Sequence, residues 1–320
     1  MAKFRTNHSS KAYQKSFKRS KTSSRTILLR SIFFFIGICI VIYILSMVKT
    51  DSWDFFNSEG NISTDQVVFS DEEGHEVVTT FYPESTTGVV IEHQYYTLSY
   101  SEQHEQAEWV TYKLTRENLR KPRVKRAKKF SQDNAIKSLS AKHNDYTRSG
   151  YTRGHLAPAG DMAFSEDAMR ESFFMSNMSP QIKEFNGGIW RELEENVRAW
   201  ASDNEELYIV TGPILNPENI IKKIGYNEVS VPNLFYKIIL DIKDPEKKAL
   251  AFLIPNEKSE QHLKNYVVSI DEIEELTGIN YFADFLSEEL ESELEKKGDP
   301  DQWSFDSRKF KKRIEKWNNY

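Results

Sequence analysis

The chain has 320 residues, a formal net charge of −5, 13% aromatic residues and a single cysteine, Cys39. That length holds one large or two small globular domains with a sizeable core, and the single cysteine excludes both an intramolecular disulfide and a cysteine-based zinc site. The charge is unevenly placed: the first thirty residues carry nine Lys or Arg and no Asp or Glu, so a basic head precedes an acidic body.

After the basic segment 1–30 comes Ser31–Val48, SIFFFIGICIVIYILSMV, eighteen residues without a charge. This is long enough for a membrane-spanning helix, and Arg30 can snorkel toward the interface. Lys11, Lys15, Lys18, Arg19, Lys21 and Arg25 crowd its N-terminal side, while Asp51 and Asp54 follow it. The positive-inside rule then puts residues 1–30 in the cytoplasm and everything after Lys49 outside, in a periplasmic or extracellular space. A cleaved signal peptide and a buried core helix are the competing readings. The apolar run is longer than the usual signal core, and no small-x-small cleavage site follows it.

Residues 49–90 are polar and read as a linker or a short appended strand region. A globular domain is expected over 91–287. Tyr95–Tyr100 and Glu108–Leu114 read as strands, Ser165–Phe174 and Gly188–Ala201 as helices. Leu207–Gly212, Phe235–Asp241 and Ala249–Ile254 read as core strands. Ser269 opens a further helix, with Glu272 at the capping-box spacing. Strands and helices are interspersed without a βαβ rhythm, so the expected class is α+β. Residues 288–320 form a charged tail that reads as a solvated helix, with contact to nucleic acid or anionic lipid as the alternative.

The most informative run is Gly150–Met162, GYTRGHLAPAGDM. His155 follows Arg153 and Gly154; an imidazole titrating near neutrality suits a general base, and a lone histidine is equally compatible with a structural role. A second polar set comprises Asn177, Gln181, Asn186, Trp190 and Glu194. Asn186, Trp190 and Glu194 are four apart, the spacing of one helix face. Amide and carboxylate oxygens are hard ligands suited to Mg²⁺; the bland reading makes Asn186 a helix cap and Glu194 a surface residue. Between Lys113 and Lys129 lie nine basic residues and one acid, Glu117. Such a stripe suits a polyphosphate, or is a solvated loop. The histidines include no His-Glu-x-x-His arrangement, which sets aside a zinc protease.

Taken in order, three segments carry a resemblance: Thr152-Arg153-Gly154-His155, Ser176-Asn177-Met178-Ser179-Pro180-Gln181, and the run from Asn186 through Trp190 to Glu194. Over roughly 91–285 the chain resembles the DNA/RNA non-specific endonuclease family, the endonuclease G-like ββα-metal (His-Me finger) nucleases. The run Val210–Pro213 and the segment Asp271–Gly278 also look familial. The resemblance implies a ββα-metal fold with a mixed or antiparallel sheet. It implies Mg²⁺-dependent hydrolysis of DNA and RNA to 5′-phosphate products, with Mn²⁺ as a substitute ion. By position, His155 matches the general base, Asn186 the direct Mg²⁺ ligand, Glu194 the residue orienting metal-bound water, Asn177 a supporting amide and Arg153 a phosphate-contacting arginine. Arg126 is the candidate for an upstream arginine that helps the transition state. The first motif position, Asp in the family, is Thr152 here. The alternatives are a catalytically impaired nuclease-fold module that only binds nucleic acid, and a phosphodiesterase for another substrate. Members of the family are often dimers, so a homodimer is a further expectation; the sequence says nothing of an inhibitor protein.

Overall fold

The computed structural model describes residues 66–70, 76–80, 81–243, 245–282, 285–296 and 298–319. The basic segment 1–30, the expected membrane span 31–48 and the first part of the linker lie outside these residues. Among the described residues, no helix is long and apolar enough to cross a membrane.

The described residues begin with an antiparallel hairpin, β1 (Gln66–Ser70) and β2 (Glu76–Thr80). Three strands follow, β3 (Val90–Glu92), β4 (Thr97–Ser101) and β5 (Gln106–Thr115), and then the short helix α1 (Arg116–Arg120). Next come β6 (Thr152–His155), α2 (Glu166–Glu171) and β7 (Met178–Gln181). A kinked turn, Phe185–Trp190, leads into α3 (Arg191–Asn204). Five strands complete the β structure: β8 (Glu206–Pro213), β9 (Ile220–Ile224), β10 (Val229–Pro232), β11 (Leu234–Asp241) and β12 (Lys248–Pro255), with the two-residue β13 (Val267–Val268) at the edge. The helices α4 (Ile270–Thr277), α5 (Glu288–Leu294) and α6 (Ser307–Glu315) come last.

Seven strands form one sheet in the order β13-β12-β11-β8-β5-β4-β3, and every neighbouring pair is antiparallel. β6–β7 and β9–β10 are separate two-stranded ribbons. The sheet is buried on both faces, because its central strands carry apolar side chains at successive positions and not at alternate ones. On one face, Val110, Tyr112, Leu114, Ile209, Phe235 and Ile239 pack with Trp190, Leu193, Val197 and Trp200 of the kinked turn and α3. On the other, Trp109, Tyr208, Val210, Tyr236 and Ile238 pack with Ile270 and Ile273 of α4 and with Tyr281, Phe282 and Phe285. Each such side chain contributes about 1.5–3 kcal/mol on burial. Ser269 caps α4 by accepting from the Glu272 N–H at 3.1 Å, and Gly278 ends that helix with φ +69°, a left-handed conformation that glycine adopts without steric penalty.

The strands expected at 108–114, 207–212, 235–241 and 249–254 are present and each is somewhat longer. Three expectations need correction. The helix expected from Gly188 starts as a kinked turn, because Gly188 sits at φ −102°, ψ −108°. The packed region starts before residue 91: Phe81 is buried against Phe285 (centroids 4.5 Å) and Tyr208 (5.2 Å), and Thr86 N donates to the Glu108 carboxylate at 3.0 Å. The tail is no solvated helix. Trp303, Arg313, Trp317 and Asn318 are buried, since the aromatic residues among its charges supply an apolar docking face and Arg313 finds a carboxylate.

Candidate active site

The β6–β7 ribbon, the kinked turn and α3 form one ββα unit lying on the α3 face of the sheet. The ribbon's register pairs Thr152 with Gln181 and His155 with Met178. Strand alternation therefore puts Arg153 and His155 on the same side. Phe130 marks that side: the Arg153 guanidinium lies over its ring at 4.7 Å, and its centroid is 5.8 Å from that of His155. Phe173 meets His155 edge-on at 4.7 Å and carries the Arg126 guanidinium at 5.1 Å. Two arginines thus flank the histidine through an aromatic pair.

His155 is 8% exposed, and its Nε2 is buried without a hydrogen-bond partner. Burial, followed by the charges of Arg126 and Arg153, lowers its pKa from the usual value to about 3. The imidazole is therefore neutral at physiological pH, with a ring nitrogen awaiting a proton or a water. Arg153 Nε is likewise buried and unpartnered. A guanidinium nitrogen and a ring nitrogen both buried without partners are costly in a purely structural setting and are what a ligand-binding site leaves open.

Asn186 lies in the kinked turn. Its Nδ2 donates to Thr152 Oγ1 at 2.9 Å, and that hydroxyl donates in turn to the Gln181 carbonyl at 2.8 Å. The carboxamide is thereby oriented: with the nitrogen engaged, the oxygen is the group offered to a hard cation. Thr152 thus supplies a polar brace to the Asn186 side chain at the position where the family pattern has Asp. This donor set fits Mg²⁺ or Mn²⁺, ions that take few direct protein oxygens. The expected single helix face of Asn186, Trp190 and Glu194 is not formed. The break at Gly188 turns Trp190 into the core, stacked against Phe185 at 5.2 Å, while Asn186 and Glu194 stay partly exposed.

Glu194 belongs to a charged cluster that sequence reasoning missed. Asp161 accepts from Tyr112 Oη at 2.8 Å and from Arg198 Nη1 at 2.7 Å. Lys237 reaches in from β11, its Nζ buried without a hydrogen bond and 5.0 Å from the Trp190 ring centre. Burial pushes the Glu194 carboxyl up; Arg198 opposes this, Asp161 adds to it, and Lys237 and Arg126 oppose it. Burial lowers Lys237, with Glu194 the largest opposing influence. Arg126 thus acts electrostatically on both His155 and Glu194.

Asn177 is correspondingly removed from direct chemistry. It is fully buried. Its Oδ1 accepts from Ala157 N at 2.8 Å, and its Nδ2 donates to the Ala157 and Ser172 carbonyls at 3.0 and 2.8 Å. Its own carbonyl accepts from Leu156 N. Every polar atom of that side chain braces the backbone just after His155, so its place is behind that residue.

The sequence profile of the DNA/RNA non-specific endonuclease family matches residues 73–288. The mitochondrial nuclease EXOG of Danio rerio is 35% identical over 234 residues, 68% of this chain and 67% of the relative. Nuclease C1 of Cunninghamella echinulata var. echinulata is 32% identical over 221 residues, 65% of this chain and 88% of the relative. The chain spans 54–56% of the length of the other vertebrate EXOG nucleases it matches. Among solved structures, an EndoG/EndoGI complex superposes with a TM-score of 0.58 at 32% identity, covering 62% of this chain and 86% of that one. With the ββα unit, the histidine between two arginines and the braced asparagine in place, the chain belongs to the DNA/RNA non-specific endonuclease family of enzymes.

Proposed function

We propose that the protein is a divalent-metal-dependent endonuclease that hydrolyses phosphodiester bonds of DNA and RNA without strong sequence preference, leaving 5′-phosphates. The observation that carries this is the neutral, buried and unpartnered Nε2 of His155, set between Arg153 and Arg126. A neutral imidazole removes a proton from water as the water oxygen attacks phosphorus. The bond from phosphorus to the 3′ oxygen breaks, and the 5′-phosphate remains on the downstream strand. Arg153 and Arg126 balance the charge gathering on the phosphate oxygens. Asn186 would hold Mg²⁺, or Mn²⁺ as a substitute, which when bound supplies Lewis-acid charge beside the scissile phosphate. Glu194 would orient water at the ion's site, while Asn177 braces the backbone just after His155.

The substrate's approach is along residues 121–130. This segment is extended, with Lys121, Arg123, Lys125, Lys128 and Lys129 exposed. It is pinned beside the site by the bonds Val124 N to Ala163 O (2.8 Å) and Arg123 Nη2 to Gly160 O (3.1 Å). A row of cations on a fixed backbone neutralises phosphates without reading bases.

In the direct test, purified full-length protein is incubated with plasmid DNA and with single-stranded RNA. Both are expected to be cut in Mg²⁺, with 5′-phosphate ends, to survive in EDTA, and to be cut again when Mg²⁺ or Mn²⁺ is restored. Cleavage unaffected by EDTA, or no cleavage of either substrate, overturns the reading.

We further propose that residues 31–48 anchor the protein in a membrane with the nuclease domain outside. The support is the uncharged run with its cationic N-terminal flank. Protease added to spheroplasts, which lack outer envelope layers but keep a sealed inner membrane, is expected to digest the nuclease domain and to spare the basic head. A domain digested only after the membrane is permeabilised overturns this orientation.

A further inference from the structure

We propose that residues 299–319 act as a clamp on the turn that carries Asn186, with Arg313 and Asn318 as positioning residues for its side-chain amide. The proposal rests on the metal-dependent reading above. This segment lies beyond the matched family region, which ends at 288.

The clamp grips α3 and the kinked turn along their length. The indole nitrogen of Trp200 donates to the Ser304 carbonyl at 2.6 Å, and Trp303 meets the Trp200 ring edge-on at 5.1 Å. Lys309 Nζ donates to the Glu195 carbonyl at 2.8 Å and to Asn196 Oδ1 at 3.3 Å. The Arg191 guanidinium lies over Trp317 at 4.3 Å. At the centre is Arg313, which is wholly buried. Its Nε donates to Glu192 Oε2 at 2.5 Å, its Nη2 to the Gln261 carbonyl at 2.5 Å, and its Nη1 to the Ser259 carbonyl. One guanidinium therefore ties the first turn of α3 to the loop after β12.

Asn318 completes the arrangement. Its Nδ2 donates to the same Ser259 carbonyl at 2.8 Å. Its Oδ1 is buried without a hydrogen bond, and it lies against Gly188 so closely that a Cβ there would sit 2.6 Å from it. Asn318 thus fills the space a side chain would take at the break, two residues after Asn186. A turn interrupted in this way lacks the regular bonding of a helix and owes its shape to what packs on it. Thr152 holds the Asn186 amide from the ribbon side; Asn318 and Arg313 hold the backbone from behind. A buried ion pair is a poor means of gaining stability, because apolar residues of similar volume usually do as well or better. Its merit is a fixed geometry, which is what a one-amide cation site needs.

Stability and positioning separate in the paired variant Glu192→Met with Arg313→Met, which removes both charges and retains volume. The full-length protein is titrated with Mn²⁺ and free ion is followed by electron paramagnetic resonance; thermal unfolding and cleavage are measured alongside. The paired variant is expected to unfold at or above the wild-type temperature and to bind Mn²⁺ about tenfold more weakly. The Mg²⁺ concentration needed for half-maximal cleavage should rise correspondingly, with KM for DNA unchanged. Asn318→Ala, which removes the wedge and no charge, is expected to shift Mn²⁺ affinity in the same direction, and it alone decides should the paired variant not fold. Wild-type Mn²⁺ affinity in a folded paired variant, or in Asn318→Ala, overturns the clamp. Wild-type protein that neither binds Mn²⁺ nor cuts overturns the metal-dependent reading instead.

Discussion

Replacing His155 with alanine is expected to lower the rate of phosphodiester cleavage by roughly 10²–10⁴-fold, the range that positioned acid–base groups supply. The effect should fall on the chemical step. His155 is 8% exposed and packs against Phe130 and Phe173, whereas binding is proposed for the exposed cations of residues 121–129. Single-turnover cleavage of a DNA duplex by wild type and His155→Ala, with duplex affinity measured in EDTA, makes the comparison. A rate within a few-fold of wild type removes His155 from the mechanism. A wild type that binds the duplex but does not cut it at all would instead favour a nuclease-fold module that binds without cutting. Because burial and two arginines lower the imidazole's pKa to about 3, it needs no deprotonation to act. In the free protein, then, no acid-side loss of cleavage near pH 6–7 is expected from protonation of His155.

The second large effect is on stability. Asp161→Ala is expected to cost about 3–5 kcal/mol, because it leaves buried cations without their counter-charge. Asp161 is 2% exposed and ties Tyr112 of β5 to Arg198 of α3, with Lys237 buried close by and unbonded. Urea unfolding of Asp161→Ala against wild type measures this directly. Asp161→Asn, whose oxygen can still accept from Arg198 and whose amide nitrogen can donate to the Tyr112 hydroxyl, should lose less. A loss under about 1 kcal/mol for the alanine variant would mean that Glu194 alone suffices to balance Arg198 and Lys237.

The two segments around His155 and Asn186 were legible because short runs of polar residues with fixed spacing survive without knowledge of the fold. The central strands were legible from their apolar runs. What could not be read is what the sheet brings together. Asp161 and Arg198 lie far apart in sequence, and Lys237 sits inside the apolar strand Leu234–Asp241, where a lone lysine was the only available signal. Asn177 shows a different limit: a motif gives the residue type, but only geometry tells that its amide is spent on the backbone after His155. The paired glycines at 187 and 188 were a visible warning against a regular helix face. In the tail, charge obscured Trp303, Phe305 and Trp317, the residues that dock it.

The pairing of β5 with β8 has a consequence for how the enzyme is made. Thr115 pairs with Glu206, so Arg126, Arg153, His155, Asp161, Asn186, Glu194 and Arg198 all belong to one excursion of the chain between two adjacent strands. Folding must close that long loop before either strand gains its central neighbour, and pairings of such sequence separation are slow to form. Once the strands have met, the cost of the excursion grows only logarithmically with its length. The candidate site therefore rides on a single loop of the sheet, and its peripheral turns can lengthen or shorten at little thermodynamic cost while the sheet beneath them stays the same.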